Sequence, residues 1–88
     1  MKIYQIQLAK EAEKSLLKIV QSLPAIGRRI NAEIEELKKN PYSGIKLQGS
    51  DQETRRIRVG DYRIVYEVYE NYLVILIVYV GPRGSAYK

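Results

Sequence analysis

The chain has 88 residues and a formal net charge of +5, and it contains no His, Cys, Trp or Phe. This composition excludes disulfides, zinc sites built on Cys or His, and Ser-His-Asp or Cys-His catalysis, and no GxGxxG or GxxxxGK nucleotide motif is present. The positive charge favours nucleic acid or an acidic protein as the partner.

The N-terminal half is predicted to form a strand followed by a helical hairpin. Residues 2–8 alternate loosely between polar and apolar side chains, which indicates a strand. Over residues 9–22 the apolar side chains recur at spacings of three and four, as on one face of a helix. Pro24 interrupts this pattern, and a second amphipathic helix is predicted over residues 24–39.

The C-terminal half is predicted to form three strands. Residues 41–53 contain two glycines and are predicted to be a loop. From Thr54 the period is two, and Gly60-Asp61 is a candidate hairpin turn before a strand over residues 62–69. The unbroken apolar run at residues 73–80 predicts an interior strand, buried on both faces and covered by the helices on one of them.

The element order β-α-α-β-β-β predicts an α+β fold. We expect an antiparallel sheet of about four strands with the N-terminal helical hairpin packed on one face. A chain of this size is predicted to be a single domain over residues 1–88. The N-terminus lacks the features of a signal peptide, and the longest apolar run is far shorter than the ~20 residues needed to span a bilayer. A cytoplasmic location away from membranes is therefore expected.

Four arginines of the C-terminal half are candidates for binding phosphate. Arg56 and Arg58 are two residues apart and share a strand face, Arg63 follows the hairpin turn, and Arg83 follows the last strand. A guanidinium bonds phosphate oxygens through a planar fork. Tyr87 could bond a substrate hydroxyl or stack on a base. Alternatively, the arginines keep exposed strands soluble and prevent edge-to-edge pairing, and Tyr87 packs its ring on the sheet.

Further basic residues are predicted to contact RNA or the ribosome. The lysines at the end of the second helix have a simpler alternative role in capping and solubilising that helix. The predicted contacts are Lys38, Lys39, Lys46, Arg55 and Lys88.

Two segments resemble the RelE/ParE superfamily of toxins from bacterial toxin–antitoxin pairs, with RelE-type members the most similar. They are residues 55–68 (RRIRVGDYRIVYEV) and residues 80–88 (VGPRGSAYK). The loop at residues 40–49 (NPYSGIKLQG) and the element order also fit, so the resemblance covers nearly the whole chain.

The resemblance to RelE-type members implies an endoribonuclease that needs no metal or cofactor. Such toxins cut mRNA in the ribosomal A site, by attack of a 2′-hydroxyl that gives a 2′,3′-cyclic phosphate, and a cognate antitoxin holds them inactive. The family positions carried over as catalytic are Arg56, Arg58, Arg63, Arg83 and Tyr87.

This sequence departs from the family pattern at two positions. Arg58 stands where the family usually has a lysine as the general base, and an arginine with a pKa above ~12 is a poor base. Pro82 stands where many relatives have a basic residue or histidine.

Two other functions fit the same fold. One is a ParE-like inhibitor of DNA gyrase, and the other is a catalytically degenerate toxin homologue that only binds RNA. The arginine and tyrosine positions above favour the nuclease, because ParE-like chains are expected to lack them.

Every toxin interpretation implies an antitoxin and a hetero-oligomer. The antitoxin is predicted to be acidic, and to place a helix on the apolar face that the hairpin leaves open or to cover the arginines.

Overall fold

The computed structural model describes residues 2–49 and 53–82. Within these two ranges, two helices and five strands form the fold, and a short 3₁₀ turn, Glu70–Tyr72, joins the last two strands. In chain order the elements are β1 (Gln5–Leu8), α1 (Lys10–Ser22), α2 (Pro24–Leu37), β2 (Ile45–Lys46), β3 (Glu53–Val59), β4 (Tyr62–Tyr69) and β5 (Val74–Pro82). The predicted α+β class with an N-terminal helical hairpin is confirmed.

The hairpin forms where the sequence predicts it, around Pro24. Pro24 occupies the first turn of α2, where its fixed φ angle suits the helix and its missing N–H is no loss. Gly27 allows the two helices to cross closely, since a Cβ at this position would lie 2.8 Å from the Cα of Val20. The helices bury one apolar stripe each against the sheet, from Ala12, Ile19, Ile30, Ile34 and Leu37. None of the helices in the described part of the chain is long and apolar enough to cross a membrane.

The second helix ends at Leu37 and not at the predicted residue 39. The N–H of Lys38 bonds the carbonyl of Glu35 at 3.2 Å, and that of Lys39 bonds Glu36 at 3.1 Å. These bonds span three residues, so the α-helix tightens into a final turn before Asn40. A helical periodicity continues through such a turn, which explains the longer prediction.

The sheet has the strand order β1-β5-β4-β3-β2, and it is mixed where an antiparallel sheet of about four strands was expected. β1 pairs parallel to β5, with Gln5 opposite Val74, and the other pairs are antiparallel. The rest of the chain between β1 and β5 provides the long crossover that a parallel pair requires. The additional strand β2 lies inside the predicted loop, and its two residues are too few to show a period.

β5 is an interior strand, as predicted, between β1 and β4. Only one of its faces is fully buried. Ile75 and Ile77 are inaccessible on the face that meets the helices, whereas Val74 and Leu76 on the other face are partly exposed. The prediction that both faces are buried is therefore wrong, because both described helices pack on the same side of the sheet.

The predicted turn at Gly60-Asp61 is confirmed, with Val59 opposite Tyr62. Gly60 has a φ of +61°, which places the left-handed residue first in the turn, as in a type II′ hairpin. The turn fixes the register of β3 against β4, and this register decides which side chains share a face.

The side of the sheet away from the helices is called the open face below. Cross-strand partners point to the same side, so the pairing of β3, β4 and β5 defines its members. On these three strands they are Thr54, Arg56, Arg58, Arg63, Val65, Glu67, Tyr69, Val74, Leu76, Tyr79 and Gly81.

Candidate functional site

Three of the predicted arginines meet at one end of the open face. Arg58 lies directly opposite Arg63, and Arg56 lies opposite Val65, one pair further along the two strands. All three therefore project to the same side, as the alternation of β3 and β4 predicts. Arg56, Arg58 and Arg63 are called the arginine set below.

The arginine set has no neutralising carboxylate among the described residues. In the same part of the chain, the Nε atoms of Arg56 and Arg63 are buried and have no hydrogen-bond partner. Like charges directly opposite each other destabilise a strand pair, and an orphaned buried donor costs about 1–3 kcal/mol. A bound anion would compensate this charge, so the arrangement suits an anionic ligand.

Arg55, the neighbour of the set in sequence, lies on the opposite face. Its Nε donates to Glu53 at 2.7 Å, and its Nη1 donates to the carbonyls of Tyr42 at 3.0 Å and Gly44 at 2.7 Å. Its guanidinium also lies 5.1 Å from the centre of the Tyr42 ring. The structure thus uses this predicted RNA contact to hold residues 38–44, which connect α2 to β2 and are called loop 38–44 below.

Three of the predicted lysine contacts, Lys38, Lys39 and Lys46, also lie away from the arginine set. Lys46 pairs with Glu53 at 3.3 Å on the side of Arg55, and Lys38 pairs with Glu35 at 3.1 Å. Desolvation raises the pKa of Glu53, but its hydrogen bonds with Arg55 and Lys46 outweigh this and leave the pKa lowered. Lys39 follows α2 in the helical layer, next to Asn40.

Three predicted site residues lie outside the described part of the chain. They are Arg83, Tyr87 and Lys88, and their roles remain predictions. The last two residues of β5, Gly81 and Pro82, pair with Arg63 and Tyr62. Arg83 is the next residue in sequence.

Loop 38–44 forms one wall beside the arginine set. The buried Tyr66 hydroxyl donates to the carbonyl of Pro41 at 2.8 Å and accepts from the N–H of Gly44 at 3.0 Å. Burial raises the pKa of this phenol, so it remains protonated. A groove of ≈ 420 Å³ results, lined by Ser43, Gly44, Ile45, Arg56, Ile57 and Arg58. The strand pattern is typical of a core or sheet-face position for Tyr66, and a buried phenol hydroxyl is the signal that a polar partner must lie nearby.

Tyr79 forms a second wall, which the sequence reasoning missed. A Cβ on Gly81 would lie 2.5 Å from the Tyr79 hydroxyl oxygen and 2.8 Å from its Cζ atom. The ring therefore lies across Gly81, whose strand partner is Arg63. An aromatic ring on the face that carries the arginine set suits a stacked RNA base. A glycine two residues after a tyrosine in a strand was the available signal.

Glu70 ties loop 38–44 to the N-terminus. One of its oxygens accepts hydrogen bonds from the hydroxyls of Tyr42 and Tyr4, the latter at 2.8 Å. Lys2 lies 3.5 Å from the other oxygen. The bond from Tyr42, followed by that from Tyr4, lowers the pKa of Glu70.

This lowered pKa predicts a pH-dependent contribution of Glu70 to stability. The contribution is complete above the ordinary pKa of 4.5 and is lost as the pH falls through the lower folded value. We expect wild type to exceed Glu70→Gln in thermal midpoint at pH 7, and the difference to shrink below pH 4.5. Thermal midpoints of both proteins at several pH values test this. Glu53 also has a lowered pKa, but both proteins contain it, so its effect cancels in the difference between their midpoints. A difference that stays constant down to acid pH would contradict the assignment.

Comparisons with known proteins agree with this fold. A family model described as the ParE toxin of type II toxin–antitoxin systems, parDE, matches residues 6–87. RelE1 of Methanocaldococcus jannaschii is 36% identical over 84 residues, which cover 89% of this chain and 92% of the relative. The chain belongs to the ParE/RelE family of toxins of type II toxin–antitoxin systems, and it is RelE-like.

Solved structures support the same assignment. The archaeal RelE–RelB complex from Pyrococcus horikoshii matches with a TM-score of 0.77 and 35% identity, covering 96% of this chain and 99% of that one. The isolated RelE toxin of E. coli matches with a TM-score of 0.77 and 20% identity, covering 94% of this chain and 87% of that one. The E. coli likeness shows a shared fold.

Proposed function

We propose that this toxin is a metal-independent endoribonuclease that cleaves mRNA on the ribosome. The observation that carries the proposal is the arginine set, whose three guanidiniums have no carboxylate partner among residues 2–49 and 53–82. Arg55 and Lys46, on the other face, are both paired with Glu53. Charge left uncompensated on one face alone suits a ligand with several phosphates.

The proposed reaction is attack of a ribose 2′-hydroxyl on the adjacent phosphorus. A bond forms from the 2′-oxygen to phosphorus, the bond to the 5′-oxygen breaks, and the products are a 2′,3′-cyclic phosphate and a 5′-hydroxyl. Arg56 and Arg63 stabilise the charge that develops on the phosphorane. By family resemblance the leaving oxygen is assigned to Arg83, and Tyr87 is assigned to orienting the nucleophile or stacking on a base.

Dependence on the ribosome follows from what the arginine set supplies. Guanidiniums with pKa values above about 12 position phosphate and stabilise charge, but they do not accept a proton at neutral pH. The toxin therefore relies on a substrate already held in a reactive geometry, which the ribosomal A site provides in this proposal. A cytoplasmic location accompanies that target and remains a prediction.

We also propose an acidic antitoxin as the partner that controls the toxin. The relative from Pyrococcus horikoshii, at 35% identity, is a RelE–RelB complex. Beyond the arginine set and Glu67, the open face carries a mainly apolar groove of ≈ 420 Å³ lined by Gln7, Tyr69, Tyr72, Val74 and Leu76. An amphipathic antitoxin segment would place its apolar side chains there and its carboxylates on the arginines, which suits a chain of charge +5.

Primer extension on translated mRNA tests the proposed function. The purified toxin is expected to cut within codons of a message undergoing translation and to leave the same message intact without ribosomes. Arg63→Ala is expected to weaken this cleavage. Arg28→Ala is its matched control, because it also removes one arginine charge, but from an exposed position on α2. Loss of gyrase supercoiling with intact mRNA would overturn the nuclease and support the ParE-like alternative.

A further inference from the structure

The proposed reaction needs a group that accepts the proton of the 2′-hydroxyl. The arginine set cannot serve, and Arg58 replaces the lysine expected from family resemblance. The open face of the described strands β3, β4 and β5 carries one carboxylate, Glu67. We propose that Glu67 is the general base of this toxin, an inference that rests on the proposed nuclease function.

The register of β3 and β4 places Glu67 next to the phosphate-binding end of the open face. Glu67 lies opposite Thr54, one same-face pair beyond Arg56 and Val65. Successive same-face pairs are about 7 Å apart along a strand, and diagonal neighbours are about 7–8 Å apart. A phosphate held between Arg56 and Arg63 would therefore have its neighbouring ribose within reach of the Glu67 carboxylate.

The carboxylate of Glu67 is already oriented. The Tyr69 hydroxyl donates to its Oε1 at 2.6 Å, and both residues are partly buried. Arg56, although a diagonal neighbour, forms no ion pair with Glu67 in the described structure. The orientation thus comes from a neutral phenol and not from a salt bridge with one of the arginines.

The step balances in atoms and electrons. The 2′-hydroxyl gives its proton to Glu67 while its oxygen forms the bond to phosphorus. The 5′-oxygen leaves with the electron pair of its bond and takes a proton from water, and Glu67 then returns its proton to solvent. Asp61, a second carboxylate near the set, is exposed in the hairpin turn and lies outside the paired strands.

The substitution Glu67→Gln separates a base from a structural residue. Glutamine keeps the shape and still accepts the Tyr69 hydrogen bond, but it does not accept a proton at neutral pH. Cleavage of translated mRNA is expected to fall at least about 100-fold. Binding to ribosomes whose message lacks the 2′-hydroxyl at the cleavage site is expected to be unchanged or tighter, because a negative charge has been removed.

Two further variants complete the experiment. Tyr69→Phe is expected to reduce cleavage less than Glu67→Gln, since it frees the carboxylate without removing it. Glu33→Gln makes the same charge change at an exposed position of α2 and is expected to cleave at the wild-type rate. If Glu67→Gln cleaves at the wild-type rate, or loses binding and cleavage equally, Glu67 is not the general base. Either result would leave the proposed nuclease function in place. A wild-type toxin that leaves translated mRNA intact would overturn the nuclease itself.

Discussion

Replacing Arg63 with alanine is expected to lower the rate of mRNA cleavage by about 10²- to 10³-fold, as the loss of a preorganised charge donor does in other enzymes. The same change is expected to leave the thermal midpoint unchanged or to raise it. Arg63 faces a like charge in Arg58, and its buried Nε has no partner among the described residues. Its removal therefore relieves two unfavourable features of the folded state.

Primer extension and thermal denaturation on the same samples measure the two effects. A catalytic loss together with an unchanged or raised midpoint would identify an arginine retained for binding an anion. Arg28→Ala provides the reference for a lost charge at an exposed position. If Arg63→Ala instead lowers the midpoint and cleaves normally, Arg63 is a structural residue and the site lies elsewhere. Arg63→Lys keeps the charge without the planar fork, and its rate of cleavage is expected to fall between those of Arg63→Ala and wild type.

Local patterns predict the elements and faces on which the site depends. The period of two over β3 and β4, joined by Gly60-Asp61, is enough to assign Arg56, Arg58 and Arg63 to one face, and the strand register agrees. This works because one face of each strand is buried, so a register slip would expose the core.

Long-range pairing was not predictable in the same way. The parallel contact of β1 with β5 joins residues about 70 positions apart, with Gln5 opposite Val74, and no local period reports it. β2 has two residues, so its pairing with Arg55 and Arg56 is decided by β3 and not by its own sequence. The bonds of Arg55 to the carbonyls of Tyr42 and Gly44 are equally invisible, because carbonyls carry no residue identity.

The candidate base shows how a pattern can hide chemistry. Glu67 alternates with apolar residues and fits the expected polar side of a half-exposed strand. Its significance depends on its register against Arg56 and on the hydrogen bond from Tyr69, and both appear only in three dimensions. Arg58 in place of a lysine was the sequence signal that a base had to come from another position.

Gly44→Ala is expected to lower the free energy of unfolding by about 2–3 kcal/mol, in the range for overpacking combined with a lost buried hydrogen bond. A Cβ at Gly44 would lie 2.6 Å from the backbone oxygen of Arg56 and 2.7 Å from the Tyr66 hydroxyl oxygen. A backbone oxygen in a paired strand cannot move aside, so loop 38–44 must shift and lose the 3.0 Å bond from Gly44 to Tyr66.

For a domain of this size, each kcal/mol shifts the thermal midpoint by about 4–8 °C, so the expected loss is easily measured. Tyr66→Phe removes the hydrogen bond from Gly44 and the one to the carbonyl of Pro41 without a clash, and it is expected to cost about 1–3 kcal/mol. Gln48→Ala, at an exposed position, is the control and should leave the midpoint in place. Because loop 38–44 is a wall of the groove at Arg56, folded Gly44→Ala should also cleave more slowly than the control. An unchanged midpoint and rate in Gly44→Ala would show that this wall neither stabilises the sheet nor shapes the site.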